Sequence, residues 1–404
     1  MISHWQKKKL HEICILKNGN GFTPREWDTH GLPIIRIQNL NGSKVFNYYS
    51  KTPDANWIII PGDILFAWAG TKGVSFGPCI WNGTKGVLNQ HIYKVIPSKN
   101  VDKNWLYRIL ILATENIEKR AHGFKKTLVH VKKKDIDEQT ILVPPLSEQQ
   151  KIAHILSTWD DSIHCTQNFL DNSKKQKKAL MQHLLTGRQR SPGFSEKWKP
   201  IKLSRLFERV KAKNSTGCTN VVTISAQHGL IRQEEFFNKT VASAVLDNYF
   251  LIKKGHFAYN KSYSKGYPFG AIKRLNRYDM GVVTSLYICF SIRDTAACDS
   301  DFFEHFFEYG ALNSALEKIA HEGGRAHGLL NVKPEDFFSI QMTIPPLPEQ
   351  KAIADVLTAA DAVIQHYEAK LANLQAQKKA LMQQLLTGKI RVKTDTDAAQ
   401  HQPA

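Results

Sequence analysis

The chain has 404 residues, 42% of them hydrophobic and 23% charged, and a formal net charge of +19. That length allows two or three domains with cores of their own. No apolar run nears the roughly 18 residues of a membrane span, and the start MISHWQKKKL lacks the apolar stretch of a secretory leader, so a soluble cytoplasmic protein without a membrane partner is expected. A globular protein this basic is matched to a polyanion, which in the cytoplasm means nucleic acid.

Residues 1–143 read as a first α+β domain. A tryptophan and a basic stretch (HWQKKKLHEI) lead into strand-like runs, LPIIRIQNL, IPGDILFAWAG and GVLNQHIYKVI. An amphipathic helix from about Asp102 to Arg120 and a basic loop, AHGFKKTLVHV, follow before the last strand meets a double proline. The loops offer the residue types that contact nucleic acid, and Asn20, Arg36, Gln38, Asn39, Lys72, Lys85, Lys125 and Lys126 are the candidates.

Residues 144–190 read as one long helix. Ser147 with Gln150 has the pattern of a capping box, and Gly187 is placed to close the helix in the left-handed conformation. Ile152, Leu156, Trp159, Ile163, Thr166, Leu170, Ser173, Lys177, Leu180 and Leu184 recur at alternating spacings of four and three, which is a heptad seam. A helix of about 38 residues is roughly 57 Å long.

Residues 191–343 repeat the order of the first domain with different letters: KWKPIKLSRL, NVVTISAQHGL, IKKGHFAYNKS and GVVTSLYICFSI, then a helix from about Asp301 to His321 and the loop HEGGRAHGLLNV. Gln227, His228, Lys261, Tyr263, Lys265, Tyr267 and Arg325 are its candidate DNA contacts, densest in NKSYSKGYPFGAIKR. Residues 344–391 form a second long helix, opened by Pro348 and closed by Gly388, with a seam running from Ile353 to Leu385. The tail, 392–404, reads as disordered.

The two helices are copies. Aligning Pro144 with Pro345 also aligns Gly187 with Gly388 without a gap, and about half of the positions from Val143 to Arg190 are identical to their partners. The link between the first helix and the second variable region is too short to return the chain along the helix, so an antiparallel pair is expected, with the two domains at opposite ends and a pseudo-twofold axis. The identities off the seam are Glu148/Glu349, Gln149/Gln350, Asn172/Asn373, Gln176/Gln377, Met181/Met382 and Gln182/Gln383. Pairing between the helices does not account for them, and they read as one partner-binding surface presented twice.

Signatures of catalysis are scarce. Neither Gly-Thr-Lys, at 70–72 or 83–85, fits a phosphate loop, no dinucleotide or methyltransferase motif occurs, and the six cysteines form no C-x-x-C pair, so neither a metal site nor a disulfide framework is expected. The fold class read here is α+β: two domains of like fold separated by a pair of long antiparallel coiled-coil helices.

A variable domain ending in P-P-L-x-E-Q, at Pro144–Gln149 and again at Pro345–Gln350, each time followed by a long helix, resembles the specificity subunits of type I restriction-modification systems. The resemblance implies a non-catalytic subunit whose two target-recognition domains each read one half of a bipartite double-stranded DNA site. It also implies two methyltransferase subunits docked on the helices and restriction motor-nuclease subunits joining for cleavage. S-adenosylmethionine, ATP and Mg would sit on those partners, and no cofactor on this chain. Two other readings remain: the specificity subunit of another bipartite-site enzyme with methylation and cleavage fused in one polypeptide, and a coiled-coil scaffold that binds no DNA.

Overall fold

The structure is a computed structural model that describes residues 5–120, 128–237, 246–322 and 330–393. The chain divides into two units, one made of Met1–Thr166 with Lys370–Ala404, the other of Gln167–Ala369. The disordered tail expected at 392–404 lies, from residue 394 onward, outside the described residues.

In the first unit an antiparallel sheet runs in the order Cys14–Asn18, Ile92–Pro97, Ile64–Ala67, Gly77–Ile80. Its strand Ile64–Ala67 is buried at every position because alternate side chains enter different cores. Ile64 and Phe66 join Trp105, Leu106 and Ile109 of helix α1 (Lys103–Arg120), while Leu65 and Ala67 join Ile35, Ile59 and Trp81 beside a second small sheet. The α1 core also takes Ile152 and Leu156 from helix α2 (Leu146–Leu184) together with Leu385 and Leu386 from a later long helix. Asp160 of α2 pairs there with Lys378, so the start of one long helix lies beside the end of the other.

The second unit repeats this plan. Its sheet has the order Phe207–Arg209, Ile288–Ile292, Phe257–Asn260, Ala271–Arg274, with helix α3 (Ser300–Glu308) against the last strand. The core is dominated by phenylalanines, among them Phe207, Phe257, Phe290 and Phe303, and receives Met181 and Leu184 from α2, Leu185 just past its end, and Ile353, Ala354 and Leu357 from helix α4 (Leu347–Leu386). Lys177 pairs with Asp361 at 2.5 Å, and Phe169 stacks on Tyr367 with centroids 5.6 Å apart. Within each unit the helix segments therefore run antiparallel, and every predicted seam position is buried or half-buried.

Three expectations are corrected. The helix expected from about Asp301 to His321 is two helices, Ser300–Glu308 and Asn313–Ile319, because Gly310 between them takes φ +77. Helix α2 begins at Leu146, and the carbonyl of Pro145 already accepts from the Gln149 N–H, so Ser147 lies inside the first turn rather than capping it. The glycine caps are where the sequence puts them, with φ +68 at Gly187 and +71 at Gly388.

The third correction concerns the repeated surface. Glu148 and Glu349 are buried, 3% and 0% exposed, and each carboxylate is held by an arginine and an indole of its own unit. Glu148 accepts from Arg391 and from Trp5 Nε1 at 3.1 Å; Glu349 accepts from Arg190 at 2.7 and 2.6 Å and from Trp198 Nε1 at 3.1 Å. Gln149 and Gln350, each 1% exposed, accept from the backbone N–H of Asp102 (2.8 Å) and Asp299 (2.9 Å) and donate to the carbonyls of Pro144 and Pro345. A buried carboxylate survives only when fully paired, which is reason enough for both copies to keep these residues. Met181 is buried in one core and Met382 half-buried against the other. Of the expected partner surface, Asn172, Gln176, Gln182, Asn373, Gln377 and Gln383 are exposed.

Candidate nucleic-acid interface

In the first unit the strands Cys14–Asn18 and Ile64–Ala67 both run antiparallel to Ile92–Pro97, so Asn18, Trp68 and His91 emerge at one end of the sheet. The Trp68 ring lies 4.7 Å from His91 and 4.8 Å from His130, and its Nε1 donates to Asn18 Oδ1 at 3.3 Å. His130 arrives there because Leu128–His130 pairs with Ala69–Thr71. His91 holds φ +73, a left-handed conformation rare in a residue with a side chain.

Asn20 joins the same end through its backbone: its N–H donates to Leu88 and its carbonyl accepts from Gln90, at 2.9 and 2.8 Å. Gly19 must be glycine there, since a Cβ would fall 2.2 Å from the Asn89 carbonyl oxygen. Arg36 is adjacent through Ile35, whose carbonyl accepts from Asn89; its guanidinium lies over Trp27 at 4.3 Å, and burial lowers its pKa. Gln38, Lys72 and Lys85 are exposed, with Lys85 at the opposite end of strand Gly86–Leu88 from Asn89.

Asn39 is a correction. Its Oδ1 accepts from the Arg36 N–H and its Nδ2 donates to Ser43 and Val45, so the side chain holds a turn and is 7% exposed. Lys125 and Lys126 lie outside the described residues.

In the second unit Gln227, His228 and Lys265 are exposed, and Tyr263 is 63% exposed. Gln227 and His228 line a polar cleft of about 660 Å³ together with Lys273, Glu308, His305 and Asp361. Tyr267 is corrected as well: its hydroxyl donates to Glu308 Oε1 at 2.5 Å and accepts from Lys273, and burial, then the bond to Glu308 and its charge, raise its pKa. Lys261, just past strand Phe257–Asn260, is half-buried, and burial with the charge of Arg209 lowers its pKa. Arg325 lies outside the described residues.

Sequence reading missed Trp68, Asn89, Gln90, His91 and His130. The letters of GVLNQHIYKVI contained the signal, a polar triplet interrupting a strand pattern, but the pairing that joins it to Trp68 and His130 is not local. Among the described residues no three His, Cys, Asp or Glu side chains come together as a metal site, and no helix is long and apolar enough to cross a membrane.

A family model described as the type I restriction modification DNA specificity domain matches residues 2–171. The chain is 27% identical to the MjaX type I restriction enzyme specificity subunit of Methanocaldococcus jannaschii, over 96% of this chain and 94% of that one. To the EcoBI type I restriction enzyme specificity subunit of Escherichia coli it is 25% identical over 46% of this chain and 39% of that one. Among solved structures it is similar to a type I restriction-modification S subunit from M. genitalium, with a TM-score of 0.55 at 14% identity, covering 95% of this chain and 96% of that one. A chain from a study of complex assembly and conformational transition of the type I R-M system gives a TM-score of 0.57 at 13% identity, covering 96% and 98%. At these identities the structural likeness is one of fold.

Proposed function

We propose that this chain is a specificity subunit of a type I restriction-modification system and reads a bipartite double-stranded DNA target, one half-site with each unit. The observation that carries this is the repetition of one sheet order and one helix joint around sheet-end residues that differ between the units. A shared frame with different contact residues is what reading two different half-sites requires. The net charge of +19 supports binding to the phosphate backbone.

Methylation and cleavage reside on partners: two methyltransferase subunits, and motor-nuclease subunits that supply ATP- and Mg-dependent chemistry, with S-adenosylmethionine held by the methyltransferases. The exposed repeated residues Asn172, Gln176 and Gln182, with Asn373, Gln377 and Gln383, are the docking surface in this reading. The long helices set the spacer between half-sites.

The test is a mobility shift of duplex DNA by the chain complexed with its methyltransferase, across a range of salt. Sequence-dependent binding that weakens steeply with salt is expected; binding that is absent or indifferent to salt favours the scaffold reading. A deletion of one heptad from each long helix is expected to change the tolerated spacer and leave the half-sites alone.

A further inference from the structure

We infer that the first unit reads its half-site through the sheet-end patch of Trp68, His91 and His130 with Asn20 and Gln90, and that the equivalent sheet end of the second unit, carrying Lys261 and Leu286, reads the other half. This rests on the DNA-specificity reading above and assigns it to particular side chains.

The equivalence comes from register counted from matching glycine turns, Gly62 (φ +90) and Gly255 (φ +86), which stand two residues before Ile64 and Phe257. Val95 faces both Ile64 and Leu16 in the first sheet, as Phe290 faces both Phe257 and Arg209 in the second. Counting outward along the paired strands sets Trp68 against Lys261, His91 against Leu286 and Asn18 against Lys211. The frame is the same and the chemistry at its rim is not. Leu286 is 61% exposed and offers an apolar side chain at the rim position that His91 holds in the first unit.

The first patch also carries local cost. His91 holds its left-handed φ, and Asn89 Oδ1, His91 Nδ1 and Arg36 Nη2 are enclosed with no hydrogen-bond partner among the described residues. Strained backbone and orphaned polar atoms gather where function maintains them.

The chemistry suits base edges. The amides of Asn20 and Gln90 offer a donor and an acceptor side by side, the pattern that pairs with adenine, and the Trp68 face gives apolar contact of the kind a thymine methyl takes. Lysine at the equivalent place in the second unit pairs with guanine acceptors. Trp68, His91 and His130 already brace one another, so little ordering remains to be lost on binding.

The experiment uses the full complex with its methyltransferase and maps methylated bases across a genome. Gln90→Ala and His130→Ala are expected to relax discrimination at one or two positions of a single half-site by roughly 10-fold or more, with the other half-site and the spacer unchanged. Leu286→Ala is expected to relax the other half-site only. All three side chains are exposed, so unfolding midpoints should match wild type and separate a reading defect from a folding one. Unchanged discrimination in all three variants overturns the proposal while leaving the DNA-reading function intact, as does relaxation of the same half-site by Gln90→Ala and Leu286→Ala. A wild-type complex that methylates without sequence preference overturns the function itself, and this assignment with it.

Discussion

His305 stands in the second unit where Arg108 stands in the first. Each follows its helix-capping aspartate, Asp299 or Asp102, by the same number of residues, and each reaches the aspartate of the long helix that a lysine of the other long helix also holds. Arg108 and Lys378 share Asp160; His305 and Lys177 share Asp361, with the His305 Nδ1 3.8 Å from the carboxylate and its Nε2 3.2 Å from Thr358 Oγ1. One joint is clamped by a permanent cation, the other by a group that titrates.

Burial, and then the charge of Lys177, lower the pKa of His305, with Arg274 adding to this and Asp361 and Asp301 opposing it. For a base depressed in the folded state, the unfolded chain binds the extra proton first. The stability His305 contributes is therefore whole above the ordinary histidine value of about 6.5 and is lost as pH falls below it. Between pH 7 and 5 the unfolding midpoint of wild type should drop further than that of His305→Gln. Parallel curves would show that His305 is not the group responsible.

Glu349→Ala leaves Arg190 and the Trp198 indole facing a buried gap. Losing that carboxylate strips both groups of their hydrogen-bond acceptor, so the second unit should unfold at lower denaturant. Glu148→Ala should act likewise on the first unit through Arg391 and Trp5. Denaturant titration gives the size, and hydrogen exchange should localise each loss to its own unit.

Gly388→Ala forces φ +71 on an alanine and sets its Cβ 3.2 Å from the Trp5 ring; Gly187→Ala meets Trp198 at 3.5 Å. The left-handed conformation alone costs roughly 1–2 kcal/mol. Both variants should melt earlier than wild type, Gly388→Ala the more so, as differential scanning calorimetry would record.

Replacing exposed Asn172, Gln176 and Gln182 together with their copies Asn373, Gln377 and Gln383 should weaken co-purification of the methyltransferase. Surface changes of this kind shift stability by about 0.5 kcal/mol or less each. Retained co-purification would move the docking surface elsewhere.

Lys72→Ala and Lys85→Ala remove exposed charges without touching a packed group. If each meets a phosphate, each variant binds all duplexes more weakly, and the slope of log affinity against log salt becomes shallower by about 1. An unchanged slope would place that lysine off the DNA.

The long helices were legible because their signals are local: the double prolines, the glycines after the last turn, and a seam in which even Lys177 and Lys378 find carboxylates on the facing helix. The duties of Glu148 and Gln149 were not. Their partners, Trp5, Arg391 and Asp102, lie far along the chain, and identity between copies says that a residue is needed without saying what it touches. Asn39 and Tyr267 looked like loop contacts because a turn-holding amide and a buried hydroxyl use the same letters as surface ones. The Trp68, His91 and His130 patch is assembled by strand register from three separate runs, which composition cannot reveal.

The second unit is one uninterrupted stretch, Gln167–Ala369, whereas the first needs Lys370–Ala404 to rejoin Met1–Thr166. During synthesis from the amino end, the earlier-made region waits with Glu148 lacking its arginine and Leu156 lacking Leu385, while the later region can close as soon as its last residue emerges. The order of birth and the order of completion are reversed. A chain truncated at Ala369 and released from the ribosome should hold a protease-resistant second unit and a first unit that is still cut.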